Sequence, residues 1–108
     1  MRRGELWTAS GGKHYARKPR PVLVVQDDRF DATDSITICP LTTDLTKIPL
    51  LRIPLSPGAD TGMDQPSNLM VDKLTTMPRS KLGERIGAVS DTDMLALSRS
   101  LVVFLGLA

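Results

Sequence analysis

PVLVVQ, residues 21–26, is the stretch on which the reading of the fold turns. Pro21 interrupts any helix, and Val22-Leu23-Val24-Val25 follows as an unbroken run of strand-compatible side chains. An apolar run this short and this continuous marks a strand buried on both faces. Just before it, Arg20 stands between Pro19 and Pro21, and residues 10–19 contain the breakers Ser10, Gly11 and Gly12. That segment reads as a loop. It follows a shorter strand candidate, ELWTA (5–9), opened by Gly4.

Downstream, short strand patterns recur between turn residues. Asp27-Asp28-Arg29-Phe30-Asp31 is a polar turn, and SITICPL (35–41) is the next strand. A hydroxyl-rich loop, Thr42-Thr43-Asp44-Leu45-Thr46, leads towards LLRIPL (50–55), which Pro49 and Pro54 place at a sheet edge. SPGADTGMDQPS (56–67) is a long connection. NLMVDKL (68–74) and ERIGAV (84–89) complete the strand set.

The period then changes. Ser90 is a good N-cap, and Asp91 and Asp93 fall in the first turn, where negative charge favours a helix N-terminus. Met94, Leu97, Leu101 and Phe104 recur at helical spacing, broadened by Leu95, Val102 and Leu105, and Gly106 ends the helix. The stripe is expected to bury one face against the sheet or a partner subunit. Several short strands and a terminal helix predict a mainly β (α+β) domain over residues 1–108, a small and strongly bent sheet or barrel with one or two helices.

Composition sets the class. The chain has 108 residues, 41% apolar and 24% charged, which is ordinary for a globular protein. Trp7, Tyr15, Phe30 and Phe104 are its only aromatics, so the core is aliphatic. A thin aliphatic core in a small chain favours a homodimer, which buries surface that the monomer cannot. The net charge of +2 conceals an asymmetry. Residues 1–20 carry six basic side chains against Glu5 alone, a net of +5, and the rest carries eight basic and eleven acidic groups, a net of −3. Such a block suits a polyanionic partner, although a solvated charged loop has the same composition. The lone Cys39 excludes an internal disulfide and a cysteine-based zinc site, and in ITICPL it reads as a buried, inert thiol. No signal peptide or membrane span is expected, which points to the cytoplasm.

Chemistry is confined to polar groups at strand ends. No phosphate-cradling glycine loop is present, and one His, one Cys and scattered carboxylates make no metal site and call for no cofactor. Arg20 opens the second strand, Thr42 and Thr43 end the third, and Asp72 and Lys73 end the fifth. With His14, these are the groups that metal-free cleavage of RNA requires: a base for the 2′-hydroxyl, an acid for the leaving 5′-oxygen, and donors for the phosphorane charge. Singly, each has a plainer reading. Arg20 could pair with Asp27 or Asp28, Thr42 and Thr43 could be turn hydroxyls, and Asp72–Lys73 could be a surface ion pair.

The ordered set RRGELW, RPVLVVQDDRF, ITICPLTTDL, VDKLTTMPRSKLGERIGAVSD and VVFLGL resembles the MazF/PemK/Kid toxins of bacterial toxin–antitoxin systems, from Arg2 to Leu107. The resemblance implies an SH3-like β-barrel with a C-terminal helix, assembled as a homodimer. It implies a metal-independent, sequence-selective endoribonuclease that cuts single-stranded RNA, typically mRNA, and a cognate antitoxin that blocks the RNA site. On this resemblance Arg20, Thr42, His14 and Asp72 are catalytic. Thr43 and Lys73 match positions beside them, and Lys13, Arg17 and Lys18 hold RNA from the basic loop. Met70 departs from the pattern, because Kid-like toxins carry an arginine two residues before the acid. The CcdB toxins share the fold and instead inhibit DNA gyrase, so a gyrase inhibitor stays open, as does a degenerate member that binds RNA or antitoxin without cutting.

Overall fold

The computed structural model describes residues 1–10 and 19–107. Within them the strands are β1 (Glu5–Ala9), β2 (Arg20–Val24), β3 (Ser35–Thr42), β4 (Arg52–Leu55), β5 (Ser67–Met70), β6 (Thr75–Pro78) and β7 (Leu82–Ala88), followed by the helix α1 (Asp91–Phe104). All the pairings are antiparallel, in the order β4-β5-β3-β2-β1-β7, and β6 also pairs with β3. The result is a strongly bent sheet with one terminal helix, as expected for a mainly β, barrel-like fold. Val22, Leu23 and Val24 have no solvent exposure, which bears out burial of β2 on both faces.

One expectation is corrected. The segment 68–74 is not a single strand: β5 ends at Met70, a 3₁₀ turn occupies Val71–Lys73, and β6 takes over at Thr75. Both strands lie along the same edge of β3. Between the pairs Leu41↔Leu69 and Ile38↔Thr75, β3 advances by three residues and its partner by six, so three residues bulge out. Pro40 explains the position of this break. Val25 donates its amide to Thr37 O at 3.2 Å, so the amides of β3 that face β2 are those of Thr37, Cys39 and Leu41. Pro40, opposite Val22, would have pointed an amide the other way, and proline has none to offer. The ladder therefore opens on that side, between β6 and β5.

Two apolar clusters fill the two faces. Leu6, Leu23, Leu41, Leu69, Val71 and Leu97 belong to the larger one, under α1. Val22, Val24, Ile36, Ile38, Leu82 and Ala9 form the smaller. Register shifts in the β1–β7 pairing on either side of Trp7 add local twist. The connection after β4 crosses to the far edge of the sheet. Ala88 donates to Asp60 O at 2.8 Å, and a Cβ on Gly87 would lie only 2.3 Å from the Thr61 carbonyl. A loop thus seals the space between the β4 and β7 edges, and glycine permits the approach.

Helix α1 is capped at both ends. Ser90 Oγ accepts from the Asp93 amide at 3.2 Å. At the other end Gly106 (φ 72°) donates to Val103 O and Leu107 to Val102 O, the Schellman arrangement. Leu97 is fully buried, and Met94 and Leu101 pack on the core. Leu95 and Val102 do not widen this stripe; they lie two turns apart on the opposite side, where both are exposed. Arg3 ties the helix to the sheet, donating to Val25 O and, at 2.8 Å, to Ser98 Oγ. Replacing Gly87 with Ala should push the 56–66 connection off β7 and cost about 1–3 kcal/mol of stability, read from denaturant unfolding. An unchanged midpoint would show that the contact does not close the sheet.

Candidate functional site

Strand register brings the principal candidates together. The β2–β3 ladder ends at the pair Val22↔Pro40, and Arg20 and Thr42 each lie two residues beyond it, at the same end of the two strands. Thr42 pairs with Asn68, and Asn68 with Pro54, giving one line across β3, β5 and β4. Alternation of the pleat puts these positions on one face, beyond the smaller apolar cluster. Arg20 is exposed and Thr42 half-buried. Among the described residues Arg20 has no carboxylate within ion-pair distance, because Asp27 pairs with Arg29 and Asp28 with Arg2. Its plainer reading as a partner of Asp27 or Asp28 therefore fails.

The loop after Thr42 is held by its own hydroxyls. Thr42 Oγ1 accepts from the Asp44 amide at 3.1 Å, so this threonine also acts as a turn hydroxyl. Asp44 Oδ1 accepts from Thr46 Oγ1 at 2.7 Å and from its amide at 3.0 Å. These bonds hold the Asp44 carboxyl below the usual carboxylate range. Asn68, only 4% exposed, clamps the loop by donating to Asp44 O and Thr46 O at 3.2 and 3.3 Å. Thr43 is exposed on the loop surface.

Asp72 and Lys73 lie in the bulge opposite Pro40. Asp72 is half-buried and Lys73 exposed, and they do not form an ion pair with each other. Asp72 is instead paired with Arg52 at 2.5 Å, and Arg52 also donates to Leu51 O at 2.9 Å. Partial burial pushes the Asp72 carboxyl up, but the Arg52 hydrogen bond and charge outweigh it and hold the group below its ordinary value. Arg52 is the cross-strand partner of Met70. A guanidinium therefore stands beside Asp72, from the strand that pairs with β5 rather than from position 70. LLRIPL marks Arg52 only as a polar residue of an edge strand, and Asn68 as the start of one, so periodicity gives neither a role.

A groove of about 510 Å³ runs along this edge, with Leu45, Ile48, Pro49, Lys47 and Arg52 among its walls. Cys39 is buried, donates to Met70 O at 3.4 Å, and has its thiol pushed up to about 12 by burial, so it has no nucleophilic use. Among the described residues no cluster of His, Cys, Asp and Glu is able to hold a metal ion. Lys13, His14, Arg17 and Lys18 lie outside the described residues. Of the basic N-terminal block, Arg2 and Arg3 serve the fold: Arg2 pairs with Asp28 at 3.1 Å, and the Arg3 amide donates to the same carboxylate at 2.7 Å.

Comparison with known proteins supplies relatives for nearly the whole chain. A family model for PemK-like, MazF-like toxins of type II toxin–antitoxin systems matches residues 2–105. A Mycolicibacterium smegmatis protein described as a probable endoribonuclease MazF is 54% identical over 108 residues, covering 100% of this chain and 99% of its own length. Among solved structures, the Mycobacterium tuberculosis toxin MazF-mt6 superposes with a TM-score of 0.81 at 24% identity, over 96% of this chain and 98% of that one. A mycobacterial endoribonuclease solved in complex with its cognate antitoxin gives 0.79 at 24% identity, over 100% and 97%. At that identity the solved structures speak for the fold, and the family model and the half-identical relative speak for descent. The chain belongs to the PemK-like, MazF-like toxins of type II toxin–antitoxin systems.

Proposed function

We propose that this toxin is a metal-independent endoribonuclease that cuts single-stranded RNA, typically mRNA. The observation that carries the reading is the placement of Arg20, an exposed cation without a described carboxylate partner, at the same end of the β2–β3 ladder as Thr42, each two residues beyond the terminal Val22↔Pro40 pair. A cation and a hydroxyl at one end of a rigid ladder suit a phosphodiester passing through a phosphorane. The half-identical relative described as an endoribonuclease supports the same reading.

In the reaction the 2′-oxygen attacks phosphorus as the bond to the 5′-oxygen breaks, leaving a 2′,3′-cyclic phosphate and a 5′-hydroxyl. One proton leaves the 2′-hydroxyl and one reaches the 5′-oxygen. Arg20 balances the additional charge of the phosphorane, and Thr42 donates a hydrogen bond to a phosphate oxygen. His14 and Asp72 share the proton transfers, histidine being suited to either direction near neutral pH. Lys13, Arg17, Lys18, Thr43 and Lys73 hold the RNA, so binding weakens as salt rises.

The same reading gives the toxin a cognate antitoxin that covers the RNA site, supported by the solved complex of a structural relative. It also makes the active form a homodimer. Leu95, Val102, Val103 and Phe104 are exposed on α1, apolar surface that a partner subunit would cover. The single domain acts in the cytoplasm, and no helix among the described residues is long and apolar enough to cross a membrane.

Two experiments test this. Incubated with mixed single-stranded RNA in EDTA, the purified protein should release 5′-hydroxyl fragments, and Arg20→Ala should lose at least about 100-fold in rate with an unchanged circular dichroism spectrum. Intact RNA, gyrase inhibition without RNA products, or wild-type rates in Arg20→Ala would each contradict the reading. A Leu95→Glu/Val102→Glu variant should sediment as a folded monomer at concentrations where the wild type is a dimer. A dimer that survives both charges would place the interface elsewhere.

A further inference from the structure

The Arg52–Asp72 pair is more elaborate than pinning an edge strand requires. Ile53 and Leu55 already bury β4 into the core. Arg52 is delivered by a tight turn in which the Leu51 and Arg52 amides both donate to Ile48 O, at 3.1 and 3.0 Å. That turn holds Leu50 at φ 68°, a conformation unfavourable for any residue with a β-carbon. The guanidinium is then drawn out of water, its side chain 13% exposed against 28% for Asp72. Removing a cation from water is costly unless the partner geometry is good, so apolar residues would pin this edge more cheaply. What the charge pair adds is a carboxylate with a defined position and a defined ionisation state.

That carboxylate sits at a particular place. The bulge carrying Asp72 lies opposite Pro40, two residues along β3 from Thr42, on the edge of β3 away from Arg20. Arg52, from the strand beyond β5, reaches past its register partner Met70 to hold it. We propose that Arg52 is a positioning residue for RNA cleavage: its guanidinium, supplied from β4, fixes the Asp72 carboxylate in the bulge beside the Thr42 end of β3. The inference rests on the ribonuclease reading given above.

The surroundings of Asp72 are simple enough for a pH test. Among the described residues, the charged or titratable groups that face it are Arg52 on β4, Lys73 in its own turn and the inert Cys39 thiol on β3. Helix α1 meets the turn through the core cluster that holds Val71 and Leu97. Arg52 lowers the carboxyl, so an ionised Asp72 persists to a pH below the usual carboxylate range and is lost as pH falls further. Without Arg52 the partial burial is opposed only by Lys73 and by Asp72's own backbone hydrogen bond, so the carboxyl rises and the acid limb of the activity profile moves to higher pH.

The experiment compares wild type, Arg52→Met, Met70→Arg, the Arg52→Met/Met70→Arg exchange and Arg52→Lys. Each is assayed on single-stranded RNA in EDTA for kcat, KM and pH dependence, with thermal unfolding as the fold control. Arg52→Met should lose roughly 10- to 100-fold in kcat with little change in KM, the scale expected when a reacting group is slightly misplaced, and its acid limb should shift upward. The exchange should recover at least tenfold of that loss, because a guanidinium at 70 starts from the adjacent strand. Arg52→Lys, which keeps the charge without the planar fork, should fall between and takes the place of Arg52→Met should that variant unfold. Wild-type kcat in a folded Arg52 variant overturns the inference, as do an unmoved acid limb and a folded exchange variant no better than Arg52→Met. A wild type that leaves RNA intact overturns the ribonuclease reading itself, and the role of Arg52 with it.

Discussion

The missing amide of Pro40 is the constraint from which the rest of the site follows. β3 is the hub of the sheet, pairing with β2 on one side and with both β5 and β6 on the other. A strand in the middle of a sheet tolerates proline only where the ladder is interrupted. Here the interruption is a three-residue bulge, with Val71 turned into the core and Asp72 and Lys73 turned outward. A regular strand over the same residues would alternate its side chains strictly, putting Asp72 on the face of Asn68 and Met70 and Lys73 on the opposite one. The break that a proline enforces is thus what presents an acid and a base together on the edge of the hub strand.

Electrostatics then separates cations that build the fold from those free to act. Arg2 pairs with Asp28, and the Arg3 guanidinium is held by Val25 O and Ser98, so both are tied into the fold. Arg52 is likewise committed, to Asp72 and a carbonyl. The carboxylates of the site are committed as well: Asp44 to Thr46 and Asp72 to Arg52. Arg20 stands apart from these groups, exposed at the mouth of a strand whose last three residues are buried. A rigid buried strand with an exposed cation at its tip holds that cation in place without neutralising it, which is what electrostatic stabilisation of a developing charge demands. The loop after Thr42 is rigid for a similar reason, since a buried amide, Asn68, satisfies two of its carbonyls from the neighbouring strand.

By itself the sequence determined the class of fold, most element positions and the caps of α1. Those features follow from local rules, namely apolar periodicity, proline and glycine placement, and capping side chains. The strand patterns of ELWTA and SITICPL and the continuous apolar run of PVLVVQ are enough to place three strands, and the ordered motifs are enough to name the family. Arg20 and Thr42 were legible as strand-end residues because strand ends are marked by punctuation. Only the tertiary structure decided which polar groups meet. The split of 68–74, the clamp by Asn68, the exposure of Leu95 and Val102 and the pairing of Asp72 with Arg52 all depend on register between segments distant in sequence. Arg52 and Asp72 stand 20 residues apart, and no local pattern encodes that contact. It arises because β4 lies one ladder spacing from β5, whose continuation carries Asp72, a distance that a long side chain spans and that linear spacing along the chain does not reveal.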